Sequence, residues 1–184
     1  MMPTILVLYH SSHGSVESMA NEIAETLNAH GATVRLRTFV QKHAHDIVVS
    51  KQDLIECDGL AFGTPTRFGM MAAQAKSFWE TTSDIWLKGQ LIDKPACVFS
   101  SSSSMHGGNE ATLLNLSLPL LHHGMMLMGV PYDVPELLST ESGGTPYGAS
   151  HVAGMDNNSQ LTDTETKICR AVATRLYTVA KKLL

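Results

Sequence analysis

The period of the apolar positions changes several times along the chain, and each change marks an element. Residues 5–9, ILVLY, are an unbroken apolar run, the pattern of a strand buried on both faces. Val16, Met19, Ala20, Ile23 and Leu27 then recur at helical spacing until Gly31 ends the series. Residues 32–39 alternate and are rich in β-branched side chains, which predicts a second strand. Residues 41–58 are polar apart from the patch at 47–49 and read as loop. The run GLAFG at 59–63 is a third strand, followed by a helix over 72–82. A fourth strand at 96–100 leads to a Leu-rich helix over 110–121. Residues 125–130 predict a fifth strand and 131–160 a long Gly/Pro/Asn-rich loop, of the kind that is functional inside a compact domain. A last helix starts at Thr162, whose spacing to Glu165 fits a capping box, and it carries Ile168, Val172, Leu176 and Val179 on one face.

Strands alternating with helices predict a single α/β domain over residues 1–184, a flavodoxin-like three-layer fold with a five-stranded parallel sheet in the order 2-1-3-4-5. In such sheets ligands bind beyond the carboxyl ends of the strands at the switch point, so the loops after strands one, three and four are expected to converge. Composition narrows the class. At 184 residues and 43% hydrophobic the chain can bury one core. Thirteen basic against seventeen acidic residues, with no basic block, give nucleic acid no electrostatic footprint. The first apolar run is too short to cross a bilayer or to form a signal core, which points to a soluble, cytoplasmic protein without a membrane partner. Cys57, Cys97 and Cys169 are odd in number and far apart, so a disulfide framework or a paired metal or redox motif is not expected. His43 and His45 lack a third ligand at a suitable spacing and read as solvated loop, and no metal is expected.

The first loop, LYHSSHGSVESMA, runs from a strand straight into a helix. The helix start offers unpaired N–H groups, Ser11, Ser12 and Ser15 offer hydroxyls, and Gly14 allows close approach, so a phosphate monoester can be held; the bland alternative is that Ser11 or Ser12 only caps the helix. A Walker loop needs a lysine that this loop lacks, the first one in the chain being Lys42, and no dinucleotide fingerprint is present. ATP, GTP and a tightly held NAD are therefore disfavoured. The second loop, GTPTRFG, places Thr64, Pro65, Thr66, Arg67 and Phe68 between glycines, suited to a flat heterocycle with a cation beside it, or else to an ordinary turn with a surface arginine. The third, SSSSSMHGGNE, is too enclosed for a linker and reads as a polar pocket wall. His122 and His123 end a helix, where they could serve only its dipole, and Trp86 could be core or pocket wall. No nucleophile elbow and no HExxH motif support a hydrolase.

LYHSSHGSVESMA, FGTPTRFG, VFSSSSSMHGGNE, LLHHGM and GGTPYGASHVAG, in this order, closely resemble the WrbA family of flavodoxin-like NAD(P)H:quinone oxidoreductases, from Leu8 to Gly154. The resemblance implies FMN as cofactor, NADH or NADPH as transient donor, a quinone as acceptor and a homotetramer. Carried over by position, Ser11, Ser12, His13, Gly14, Ser15 and Val16 would hold the FMN phosphate. Thr64, Pro65, Thr66, Arg67 and Phe68 would meet the ring, and Ser101, Ser102, Ser103, Ser104, Met105, His106 and Gly107 the ribityl chain and ring edge. His122 matches a flavin-contacting histidine, Trp86 the aromatic wall of the substrate pocket, and His13 a position that in some members is a tyrosine associated with the nicotinamide cofactor. Arg67 and His122 are the candidates for stabilising charge on the reduced ring. A shared pocket for donor and acceptor predicts ping-pong kinetics. Two other classes keep the fold: a one-electron flavodoxin carrier, for which a net charge of −4 is weak, and a non-catalytic adaptor without FMN.

Overall fold

The computed structural model describes residues 1–184. At its centre lies β1 (Thr4–Tyr9), paired in parallel with β2 (Thr33–Thr38) on one side and β3 (Gly59–Pro65) on the other. Next comes β4 (Pro95–Ser102), then β5 (Met126–Leu127), which gives the order β2-β1-β3-β4-β5. The unbroken apolar run follows from burial on both faces. Ile5, Val7 and Tyr9 pack with α1 (Ser15–Ala29) and α7 (Asp163–Leu183), while Leu6 and Leu8 pack with α3 (Ala73–Glu80) and α5 (Asn109–His122).

The structure departs from the sequence-based expectations in the last third of the sheet. The predicted strand at 125–130 is only two residues long, bonded to Pro95 and Ala96. Its upper half is supplied by β6 (Ala149–Val152), bonded in parallel to Phe99–Ser102, from within the stretch expected to be loop. Between the two halves the chain leaves the sheet, forms the short α6 (Glu136–Ser139) and returns, the neck being closed by the Val130 amide donating to the Pro146 carbonyl at 3.0 Å. A Cβ on Gly129 would stand 2.0 Å from that carbonyl oxygen, so only glycine fits the neck. Residues 41–58 also hold a helix that periodicity missed, α2 (Lys51–Glu56), too short to show a stripe but fixed by a capping box between Ser50 and Asp53. A further short helix, α4 (Ser83–Leu87), carries Trp86. The expected Thr162–Glu165 capping box is present at the start of α7.

Candidate active site

β1 ends at Tyr9 and α1 begins at Ser15, so five residues turn the chain across the carboxyl edge of the sheet. The His10 amide still donates to the Gly63 carbonyl, at 3.0 Å, which fixes where the turn starts. Gly14 takes φ 97°, a left-handed value natural to glycine, and α1 begins there with no side-chain cap. The amides of Ser15, Val16 and Glu17 find no acceptor in the protein; Ser18 is the first to bond, to the Gly14 carbonyl. Ser11 does not cap the helix but accepts from the Gly14 amide at 3.0 Å, which braces the turn. Three free N–H groups at the positive end of a fifteen-residue helix, beside the hydroxyls of Ser12 and Ser15, form an anion cradle.

Two cations reach this turn from elsewhere in the chain. The Arg67 guanidinium donates to the Ser12 hydroxyl at 2.6 Å, and the Lys42 ammonium donates to the Ser11 carbonyl. The cradle expected to have no lysine therefore has one beside it, delivered by the loop after β2. His10 is buried next to both; burial, with Lys42 and Arg67 adding, pushes its imidazole down to about 4, so the ring is neutral at pH 7. Burial, with Glu17 and Asp46 adding, pushes the Tyr9 phenol up to about 12.

The loops after β3 and β4 close on the same place. The Thr66 amide donates to the Ser101 carbonyl at 2.9 Å, and Thr112 on α5 donates to the Thr66 hydroxyl at 2.7 Å. Arg67 and Met70 exchange backbone hydrogen bonds around Phe68 and Gly69, with φ values of 55° and 77°. Phe68 is thus a bulky side chain held in a left-handed conformation and fully exposed, a cost of about 1 kcal/mol that local packing does not explain. Ser101 and Ser102 are buried, whereas Ser103, Ser104, Met105, His106 and Gly107 form the exposed rim. Ser12, Ser15, Pro65, Thr66, Ser101 and Asn157 are among the residues that line one polar pocket in front of the cradle. Thr64 stands apart from it: it is fully buried, and its hydroxyl accepts from the Ala72 amide.

Trp86 and His122 meet each other but not the cradle. The Trp86 indole donates to the His122 carbonyl at 2.7 Å. The Thr82 hydroxyl donates to the Trp79 carbonyl, so it accepts from His123 Nε2, leaving His123 Nδ1 as a buried acceptor without a partner. The Trp79 indole N–H, in the same wall, also lacks a partner. These side chains line a groove of about 510 Å³ between α3, α4 and α5, a volume suited to a small organic molecule. α5 starts at the cradle and runs back along the sheet. His122 follows Thr112 by ten residues, which is about 15 Å at 1.5 Å per residue. Within one chain, Trp86 and His122 therefore lie well away from Ser12, Thr66 and Arg67.

Sequence reasoning missed His10, Lys42 and the wall formed by Ala153, Asn157 and Ser159. A Cβ on Gly14 would meet Ser159 at 3.4 Å, so the loop after β6 packs directly on the cradle. The GASHVAG motif was legible as a motif, but its place beside Ser11 depends on β6 pairing with β4, for which the sequence has no local signal.

Residues 3–132 match the model of the NADPH-dependent FMN reductase family. The chain is 40% identical to an NAD(P)H dehydrogenase (quinone) of Chromohalobacter salexigens, with 99% of each chain aligned. It is 36% identical to a protein of the same name from Geotalea daltonii, with 98% of each aligned. Among solved structures, a WrbA-like flavodoxin from Agrobacterium tumefaciens superposes with a TM-score of 0.74 at 23% identity, covering 98% of both chains, which shows the flavodoxin fold. The chain belongs to the NADPH-dependent FMN reductase family.

Proposed function

We propose that the protein passes two electrons from NADH or NADPH to quinones by way of FMN. The observation that carries this reading is the uncapped start of α1, with three free amides, two hydroxyls and two neighbouring cations, opening into a pocket walled by the β3 and β4 loops. That donor set fits a phosphate monoester joined to a flat ring, and the loop that bears it lacks the Gly-x-x-x-x-Gly-Lys-Ser/Thr sequence that wraps a triphosphate. Ser11, Ser12, His13, Gly14, Ser15 and Val16 hold the phosphate; Thr66, Arg67 and Phe68 face the ring; Ser101 to Gly107 border its side chain. FMN, when bound, supplies the redox chemistry, accepting two electrons and a proton from a dihydronicotinamide and returning them to a quinone. This chain's residues bind the phosphate, orient the ring and place the Arg67 charge beside it.

The protein works as a homotetramer in which Trp86 and His122, with the unpartnered nitrogen of His123, serve the ring of a neighbouring copy. Two features support this. The groove that carries them lies far from the cradle of its own chain. The outer face of α5 leaves Leu114, Leu118 and Leu121 about half exposed at helical spacing, a continuous apolar stripe beside that groove. Three free, buried cysteines suit a reducing compartment, and we place the protein in the cytoplasm. A one-electron carrier would need neither the groove nor a second copy. Anaerobic addition of NADH to the FMN-loaded protein should bleach the flavin absorbance, and benzoquinone should restore it; a flavin that NADH leaves oxidised would refute the enzyme reading.

A further inference from the structure

His151 is buried, lies on β6, and has both ring nitrogens facing oxygen acceptors. Nδ1 lies 2.8 Å from a carboxylate oxygen of Glu165, and Nε2 lies 2.8 Å from the Asn158 carbonyl. Neither acceptor carries a hydrogen, so both nitrogens donate and the ring is an imidazolium. Glu165 is itself fully buried and also accepts from the Ser142 hydroxyl and from the Gly143, Val152 and Thr162 amides. It is thereby tied to the start of α7, to the chain before β6 and to β6 itself.

Asn158 belongs to the loop that walls the phosphate pocket. Its amide donates to the Ala153 carbonyl at 2.8 Å, and the Ala153 amide donates to the Ser102 carbonyl, also at 2.8 Å. Ala153 and Asn157 line the pocket, and Ser159 packs on Gly14. A continuous path of hydrogen bonds therefore runs from α7 through Glu165, His151 and Asn158 to the wall of the cradle. We propose that His151 and Glu165 are a positioning pair: protonated His151 holds residues 153–159 against the start of α1, and loss of its proton loosens that wall and weakens FMN binding. The proposal rests on the phosphate-site reading above.

The charges around the ring give the direction. α7 presents Glu165, the 140–144 loop presents Ser142, β4 presents serines, and Cys169 one turn along α7 is held as a neutral thiol by burial. Burial works to lower the imidazole's pKa, but its bonds to Glu165 and to the Asn158 carbonyl outweigh this and leave it raised. A raised histidine contributes stability that is complete below about 6.5, its unfolded value, and is lost as pH rises through the folded value. The wall is thus firm in mild acid and loosens on the alkaline side.

Two substitutions separate positioning from general destabilisation. In His151→Gln the amide N–H₂ takes the place of Nε2 and still donates to the Asn158 carbonyl; in His151→Asn it takes the place of Nδ1 and donates only to Glu165. FMN affinity, measured by quenching of flavin fluorescence between pH 6.5 and 9, should fall by about tenfold or more in the wild type as pH rises. Both variants should lack this His151-dependent loss, with affinity near the wild type's low-pH value in His151→Gln and weak throughout in His151→Asn. The ligand's own titration is common to all three proteins and cancels. Hydrogen exchange of residues 153–159 in the protein without FMN, corrected for intrinsic rates, should quicken over the same pH range and already be fast in His151→Asn. Wild-type affinity that tracks the variants at every pH, or an affinity loss that follows only the melting temperature, would overturn the proposal. Absence of FMN binding in all three proteins would instead refute the cofactor reading, and the exchange measurement would still decide the pair's role.

Discussion

The phosphate cradle makes a prediction that can be worked from its donors. Riboflavin differs from FMN only in lacking the phosphate, so comparing the two ligands deletes the group that the start of α1 is proposed to hold. The amides of Ser15, Val16 and Glu17 are free, and charge-assisted hydrogen bonds contribute about 1.5–3 kcal/mol each. If two of them bind the phosphate, FMN should bind more tightly than riboflavin by about 4 kcal/mol, close to a thousandfold. At an FMN concentration 100 times its dissociation constant the protein gains about 2.7 kcal/mol, which raises the melting temperature of a chain this size by about 8 °C; riboflavin at the same concentration should give almost no shift. Isothermal titration calorimetry supplies the affinities. The same comparison locates the role of Arg67, whose guanidinium donates to the Ser12 hydroxyl and lines the same pocket. If its charge serves the phosphate, Arg67→Ala weakens FMN by about tenfold and leaves riboflavin unchanged; if it serves the ring, both weaken together and reduction by NADH slows. Riboflavin binding as tightly as FMN would refute the cradle outright.

Other outcomes follow from single features. His10 is buried and neutral with its pKa pushed down to about 4, so the unfolded chain binds the extra proton between there and about 6.5, and stability should fall by about 3 kcal/mol as pH drops through that window. Urea midpoints at pH 7 and pH 4.5 measure this, and a phenylalanine at position 10 should flatten the difference. Gly129→Ala would press a Cβ against the Pro146 carbonyl at 2.0 Å, where backbone must move, and should cost about 3 kcal/mol or more by thermal melting. If the proposed tetramer packs through α5, Leu118→Glu, at a half-exposed position there, should leave the circular dichroism of the chain as in the wild type but yield smaller species in sedimentation velocity and abolish quinone turnover. A variant that stays tetrameric would move the interface off α5.

The parts of the fold that could be read from the sequence are those that carry their own local pattern. β1 is an unbroken apolar run, α1 and α7 are long and periodic, and the turn from Ser11 to Ser15 has its polar groups in consecutive residues, so these elements were legible in the sequence, whereas the sheet order was inferred from the fold class. What escaped is what reaches the site from a distance. Lys42 meets Ser11 only because β2 runs beside β1 and the next loop folds back over the switch point, an arrangement with no local mark. The split of the last strand escaped because two residues of β5 and four of β6 are each below the length at which alternation shows.

That split bears directly on function. Had residues 125–130 formed one continuous strand, the chain would have passed the carboxyl edge of β4 once, and the GASHVAG motif would have had no edge to join. Because β5 stops after two residues, the upper half of β4 is left for β6, and β6 brings His151 to a position beside Ser101, one strand from the β3 loop. The buried ionic pair then sits where it can hold the wall beside the start of α1. A buried charge pair is weak evidence for stability by itself, since well-packed apolar residues of similar volume commonly serve as well. Its use here is geometric: only a residue with two opposed donors can bond the helix with one nitrogen and the loop with the other, and histidine provides both at the width of one ring.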